Sequence, residues 1–233
     1  MRIGGLIRNS FIDYPACISA VVFTQGCNYR CPFCHNPFLV LEESEGISER
    51  EVLAFLKKRS QKNLLDAVVI SGGEPTLQGD LIDFIKKVKS NKYLLKLDTN
   101  GSRPFILKEL LEKELLDYVA MDIKAPVGSY GQLCGVEVNY IDIERSIDIL
   151  SSFDIFVEFR TTAFKPLLTI EDLLSIGKSL PRGSKYTVQQ FVNSNILDSS
   201  FSVLSDEESI YGEEEILEVV EELKSFGLNC SFR

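Results

Sequence analysis

Gln25-Gly26-Cys27-Asn28-Tyr29-Arg30-Cys31-Pro32-Phe33-Cys34-His35-Asn36 carries three thiols in one short loop, directly after the apolar, β-branched run Ile18–Thr24. A strand that delivers a ligand loop at its C-terminal end is the pattern on which the rest of the chain is built. Thiolates spaced C-x3-C-x2-C can wrap one face of a cubane iron–sulfur cluster, which normally takes four cysteine ligands. Three leave one iron without a protein ligand. An open coordination position is where a metal centre does chemistry rather than only holding a fold.

Other readings of the same loop stand beside this one. Cys27, Cys31 and Cys34 with the adjacent His35 make a Cys3His set suited to a closed zinc site, or to an electron-transfer or zinc-binding structural protein. Against that, zinc knuckles usually draw two ligand pairs from separate segments, and His35 directly abuts Cys34. A disulfide framework is not needed, because 233 residues with 45% hydrophobic content can bury a full core. Cys17, Cys134 and Cys230 are scattered without a second C-x2-C and read as small buried hydrophobes.

Outward from the loop, strands and helices alternate. Apolar runs predict strands at Ile18–Thr24, Ala67–Ser71, Leu94–Thr99, Tyr118–Ile123, Ile155–Thr161 and Lys185–Gln190. Amphipathic segments at Glu49–Lys58, Asp80–Lys89, Phe105–Glu112, Ile143–Leu150 and Ile170–Leu180 predict the helices between them. Ser48 with Glu51 reads as a capping box, Pro104 suits a first helical position, and Thr169 caps the helix from Ile170. Continuous apolar strands joined by helices imply a parallel sheet, which curls into a partial (β/α)6 barrel or stays an open doubly wound sheet. Residues 1–233 read as a single α/β domain. Ile3–Pro15 forms a short ribbon at one end, and Asn193–Ser205 reads as a surface loop. From about residue 206 the chain adds a helix, Glu213–Phe226, ended by Gly227, and an edge strand, Leu228–Phe232.

Composition narrows the partners. A net charge of −9 argues against a nucleic-acid backbone. No run of about 18 apolar residues spans a membrane and no signal peptide is evident, so a cytoplasmic, reducing compartment is expected.

Polar residues recur after the strands, where the loops of α/β barrels converge and carry chemistry. They are Ser71-Gly72-Gly73-Glu74-Pro75, Asp98-Thr99-Asn100-Gly101, Asp122-Ile123-Lys124, Glu158-Phe159-Arg160-Thr161 and Gln189-Gln190. Each has a plain alternative: turns for the Gly-Gly and Asn-Gly pairs, and salt bridges for Asp122 with Lys124 and for Glu158 with Arg160.

Together, Cys27–Asn36, Ser71–Glu74 and Asp98–Gly101 resemble the leading motifs of radical S-adenosylmethionine glycyl-radical-enzyme activases. Ile3-Gly4-Gly5, Ile12-Asp13-Tyr14-Pro15, Phe23-Thr24-Gln25-Gly26-Cys27 and Cys34-His35-Asn36-Pro37 are most similar to activating proteins of anaerobic ribonucleoside-triphosphate reductases. The resemblance covers about the first 190 residues. It implies an oxidoreductase holding a [4Fe–4S] cluster through Cys27, Cys31 and Cys34, with S-adenosylmethionine on the open iron. The implied cofactor contacts are Phe33 against adenine, Cys34 and His35 through backbone, and Gly72, Gly73 and Glu74 at the methionine amino group. Lys124 or Arg160 would neutralise its carboxylate, Gln190 would lie near the cofactor, and Asp98, Thr99 and Asp122 would hold a monovalent cation or orient the cations. No side chain is named as a catalytic acid or base. The implied chemistry is one-electron cleavage of S-adenosylmethionine to a 5′-deoxyadenosyl radical, fed by a flavodoxin or ferredoxin-type donor, and radical installation on a glycine of the reductase. Alternatives are the activase of pyruvate formate-lyase, weakened by Gln189 and Gln190 where such enzymes carry histidine, and a small-molecule enzyme such as 7-carboxy-7-deazaguanine synthase. Ala16 departs from the glycine usual after the Asp-Tyr-Pro turn.

Overall fold

The computed structural model describes residues 1–42 and 45–233. Among the described residues eight strands form one sheet in chain order: β1 (Ile3–Ser10), β2 (Ser19–Thr24), β3 (Ala67–Gly72), β4 (Leu94–Thr99), β5 (Tyr118–Asp122), β6 (Phe156–Ala163), β7 (Lys185–Gln190) and β8 (Asn229–Phe232). β1 runs antiparallel to β2, and every later pair is parallel. β1 and β8 stay unpaired with each other, so the sheet is a partial barrel, as expected from the alternating pattern. The helices are α1 (Pro37–Val40), α2 (Glu49–Ser60), α3 (Leu81–Lys89), α4 (Pro104–Glu112), α5 (Tyr130–Cys134), α6 (Tyr140–Ser152), α7 (Ile170–Ser179), α8 (Asp206–Ser209) and α9 (Glu213–Phe226).

Alternation along each strand explains the two faces. Val68 and Ile70, Leu95 and Leu97, Val119 and Met121, and Tyr186 and Val188 share one large core with α2–α4, α6, α7 and α9. The intervening residues face inward, where Tyr14, Val21, Ala67, Val69 and Tyr118 form a second, small apolar cluster. Higher up that face the residues turn polar: Asp98 pairs in register with Ala120, and Asp122 with Arg160. The outer face therefore supplies the burial that holds the fold together, and the inner face is left free for chemistry. Among the described residues no helix is long and apolar enough to cross a membrane.

Local signals act as read, with two refinements. Thr169 and Asp172 complete a capping box at α7, whereas at α2 only the Ser48 half forms, its hydroxyl accepting from Glu51 N at 3.2 Å. Gly227 ends α9 at φ +108°, and Ala16 occupies the left-handed region at φ +60°, the conformation that glycine adopts without a Cβ clash.

Candidate active site

The cysteine loop leaves β2 and is held from three sides. Arg30 N donates to Cys134 O at 2.7 Å, which ties the loop to α5. Leu197 N donates to Cys34 O and Asp198 N to Pro32 O, each at 3.0 Å, so the segment after β7 clasps the loop from the other flank. Asn100 Nδ2 donates to Asn28 Oδ1 at 3.0 Å, and Asn28 Nδ2 to Ser102 Oγ at 2.9 Å, joining it to the loop after β4. The stretch Asn193–Ser205 is thus more than a surface loop: its first half is a structural support of the cysteines.

Cys27, Cys31 and Cys34 line one cleft of about 230 Å³ with Phe33, His35, Ser71, Gly72, Gly73, Asp98, Thr99, Asp122, Lys124 and Arg160. Burial pushes the Cys27 thiol up to about 12 and raises Cys34, while a hydrogen bond with Cys134 lowers Cys31 and raises Cys134. Cys134 is therefore not only a buried hydrophobe. It is wholly buried against a site thiol, a contact that no sequence spacing announces.

Gly72 and Gly73 are fixed by the backbone around them. A Cβ on Gly72, whose φ is +114°, would lie 2.4 Å from Thr24 N, and one on Gly73 would lie 2.0 Å from Gly26 O. Glu74 N also donates to Gly26 O at 2.9 Å. The Gly-Gly pair thereby presses the end of β3 onto the start of the cysteine loop. Glu74 itself is completely buried and is not among the residues lining the cleft. Its Oε1 accepts from Thr76 N (3.0 Å), Thr76 Oγ1 (2.5 Å) and Thr99 Oγ1 (2.8 Å), and its Oε2 from Asn100 N (2.6 Å). Burial raises its carboxyl pKa, and the donors from Asn100, Thr76 and Thr99 oppose that shift.

Opposite the thiols lies a charge network. Asp122 accepts from Arg160 Nε at 2.8 Å and from Lys124 Nζ at 2.9 Å. Asp98 Oδ1 lies 3.3 Å from Lys96 Nζ and 3.6 Å from Arg160 Nη1, yet is buried without a well-aligned hydrogen bond to either. Burial works against ionisation of Asp122, but Arg160 and Lys124 hold its carboxyl well below the usual range. Burial likewise disfavours charge on Lys124 and Arg160, and Asp122 raises both. Three cations, Lys96, Lys124 and Arg160, face two carboxylates, Asp98 and Asp122. The local balance is one positive charge, suited to an anionic ligand group.

Of the residues expected at the site, Cys27, Cys31, Phe33, Cys34, His35, Gly72, Gly73, Asp98, Thr99, Asp122, Lys124 and Arg160 share the cleft. Glu74 and Gln190 do not line it; Gln190 Nε2 reaches Tyr211 O at 3.5 Å. The Phe33 ring is buried on Phe164, with Lys124 Nζ 5.9 Å from its centroid. The pairing of Glu158 with Arg160 is not made: Glu158 accepts from Thr187 Oγ1 at 2.8 Å and pairs with Lys185 at 3.2 Å. Tyr29, Asn36, Val40, Ser71, Asn100 and Thr162 also line the cleft. For Ser71 and Asn100 the signal was their place at strand ends; Val40 and Thr162 carried none.

His35 Nε2 lies 2.7 Å from Val192 O, so that ring nitrogen is turned to the backbone. Three cysteines lining one cleft are the ligand set of a cubane that keeps one iron open.

Residues 21–177 match the family model of the radical SAM superfamily. A Methanocaldococcus jannaschii protein provisionally named a glycyl-radical enzyme activating enzyme is 36% identical over 87% of this chain and 85% of its own. A Thermococcus kodakarensis protein provisionally named a GTP 3′,8-cyclase is 32% identical, over 56% of this chain and 44% of its own length. The Streptococcus suis protein SuiB, solved with S-adenosylmethionine, has the same fold at a TM-score of 0.64, with 16% identity over 91% of this chain and 49% of SuiB.

Proposed function

This chain belongs to the radical SAM superfamily, and on that premise we propose that it is a glycyl-radical-enzyme activase serving an anaerobic ribonucleoside-triphosphate reductase. The family makes it an enzyme and implies a [4Fe–4S] cluster and S-adenosylmethionine. The observation that carries the activase reading is the M. jannaschii relative, matched along 85% of that protein. The Gly4-Gly5, Asp13-Tyr14-Pro15 and Cys34-His35-Asn36-Pro37 motifs support the reductase as its target. The cyclase likeness covers less than half of that relative and favours no second reading.

The residue roles follow from the site. Cys27, Cys31 and Cys34 would hold the cluster. Lys124 and Arg160, already charged and aligned by Asp122, would meet the methionine carboxylate without reorganising. Gly72 and Gly73 bring backbone rather than side chain to the methionine amino group. Phe33 walls the cleft and excludes water beside Lys124. When bound, the cluster would supply one-electron reductive cleavage of S-adenosylmethionine, the radical chemistry that forming a glycyl radical on a partner requires. No side-chain acid or base is required. A flavodoxin or ferredoxin-type protein would supply the electron.

The test is anaerobic mixing of the reduced protein, S-adenosylmethionine and the reductase, read by electron paramagnetic resonance. A Cα–H doublet on the reductase and restored nucleotide reduction are expected. Cofactor cleavage without that doublet, together with turnover of a free heterocycle, would overturn the proposal in favour of a small-molecule enzyme.

A further inference from the structure

Two side chains, Glu74 and Asn100, lead from the sheet to one ligand sulfur, the first through the Asn100 backbone N–H. Glu74 is wholly buried, and its Oε2 accepts from Asn100 N at 2.6 Å. Asn100 is itself 6% exposed. Ser102 N donates to Asn100 Oδ1 at 3.0 Å, which fixes the orientation of the amide. Its nitrogen edge must then face the cysteine loop, where Nδ2 donates to Asn28 Oδ1 at 3.0 Å and to Cys27 Sγ at 3.9 Å. Tyr29 N donates to the same sulfur at 3.4 Å. A backbone donor survives any substitution but proline. Among the described residues Asn100 is the side chain whose amide donates to Cys27 Sγ.

We propose that Asn100, oriented by Glu74, is a positioning residue that raises the reduction potential of the cluster held by Cys27. Hydrogen bonds to cluster sulfurs are one of the levers that set such potentials, because a donor stabilises the electron-rich reduced form. The contact is long and so is weak for each oxidation state, but it strengthens as charge builds on the sulfur. This gives Glu74 a part distinct from touching the cofactor: it locks the loop after β4 against the loop after β3. The proposal rests on the iron–sulfur reading, not on which glycyl-radical enzyme is served.

The experiment is a redox titration of the anaerobically reconstituted protein, followed by electron paramagnetic resonance of the reduced cluster, with iron content and melting temperature recorded first. Asn100→Ala should keep its iron and shift the midpoint negative, on the order of tenfold in the one-electron equilibrium constant, or about 59 mV. Asn100→Asp preserves shape and the acceptor for Ser102 N but turns an oxygen toward Cys27, and should move the midpoint further in the same direction. Glu74→Gln presents an NH2 to one set of its donors and should shift the midpoint the same way as Asn100→Ala. A wild-type protein without iron would instead defeat the cluster reading itself. Iron-loaded variants with the wild-type midpoint would overturn the proposal. So would native melting with loss of iron from both Asn100 variants, which would make Asn100 a support of the loop and nothing more.

Discussion

Gly73 and Gly26 are in such close backbone contact that a Cβ on Gly73 would stand 2.0 Å from the Gly26 carbonyl oxygen. Since Gly26 precedes Cys27, the spacing of β3 and the cysteine loop is set by the absence of a side chain. Gly73→Ala should therefore displace the loop while leaving the strands paired. Overpacking of this kind costs about 1–3 kcal/mol. Anaerobic reconstitution should show reduced iron retention with a modest fall in melting temperature. Full iron content at the wild-type melting temperature would contradict the close contact.

Cys27, Cys31 and Cys34 share the cleft, whereas Cys17 and Cys230 do not line it. Alanine at any of the first three should abolish cluster binding, and alanine at Cys17 or Cys230 should leave about four irons per chain, the content of one cubane. Iron, sulfide and the visible absorption band after reconstitution report the difference. Stoichiometric zinc in anaerobically purified protein would point to a different centre.

Asp122 joins Arg160 and Lys124, so Asp122→Asn leaves two buried cations sharing a neutral amide. Losing one partner of such a pair costs roughly 2–5 kcal/mol, and affinity for S-adenosylmethionine should fall because the cations lose their alignment. The pH dependence has a definite sign. The Asp122 pKa is depressed in the folded protein, so its contribution is complete above the ordinary carboxylate value of about 3.9 and is lost as pH falls through the native value. The Lys124 pKa is raised, so its contribution is complete below about 10.4 and is lost as pH rises through its native value. The gap in melting temperature between wild type and Asp122→Asn should stay constant from about pH 5 to 9 and narrow outside that window, in acid as Asp122 protonates and in strong base as Lys124 loses its proton. A gap that varies through neutrality would show that another group controls the network.

The sheet was legible because its strands are apolar and β-branched where they meet the helices. Leu94–Thr99 and Lys185–Gln190 match the expected bounds, and the other predicted parallel strands shift by one or two residues at one or both ends. The strand ends announced the cleft for the same reason: polar residues directly after buried runs have few other places to go. Arg160 was read with its chain neighbour Glu158, two residues away on the same face, but its partner is Asp122, which lies opposite in the β5–β6 register. Register is a tertiary property that no single strand states. The clasp by Leu197 and Asp198 was invisible because it acts through backbone amides, which carry no sequence signature. Glu74 was assigned to the cofactor from its motif, and only the fold shows its four donors.

Ala16 occupies φ +60°, a conformation that costs an L residue about 1–2 kcal/mol and a glycine almost nothing. Glycine gives back part of that gain through the entropy of the unfolded chain, roughly 0.5–1 kcal/mol. Ala16→Gly should thus stabilise the protein by up to about 1 kcal/mol, with iron binding unchanged. Chemical denaturation at constant slope measures it. A destabilised variant would show that the Ala16 methyl packs usefully.

Lys96 and Asp98 bear on whether a free monovalent cation takes part. The family resemblance leaves room for one at Asp98, Thr99 and Asp122. Yet Lys96 Nζ already lies 3.3 Å from Asp98 Oδ1 and donates to Asp13 O at 2.6 Å, with the Tyr118 ring 5.2 Å away. Lys96 is buried and its ammonium is anchored on the Asp13 carbonyl, so it is a fixed positive charge beside Asp98. Affinity of the reconstituted wild-type protein for S-adenosylmethionine should therefore be the same in potassium, sodium and tetramethylammonium buffers of equal ionic strength. Lys96→Met should bind the cofactor more weakly in tetramethylammonium and recover in potassium or sodium, because Asp98 is then free to take an ion small enough to enter. Equilibrium dialysis of the cofactor in the three buffers decides the matter. Wild-type affinity that rises with potassium or sodium would mean that a soluble cation binds beside Asp98 after all, with Lys96 only a structural neighbour.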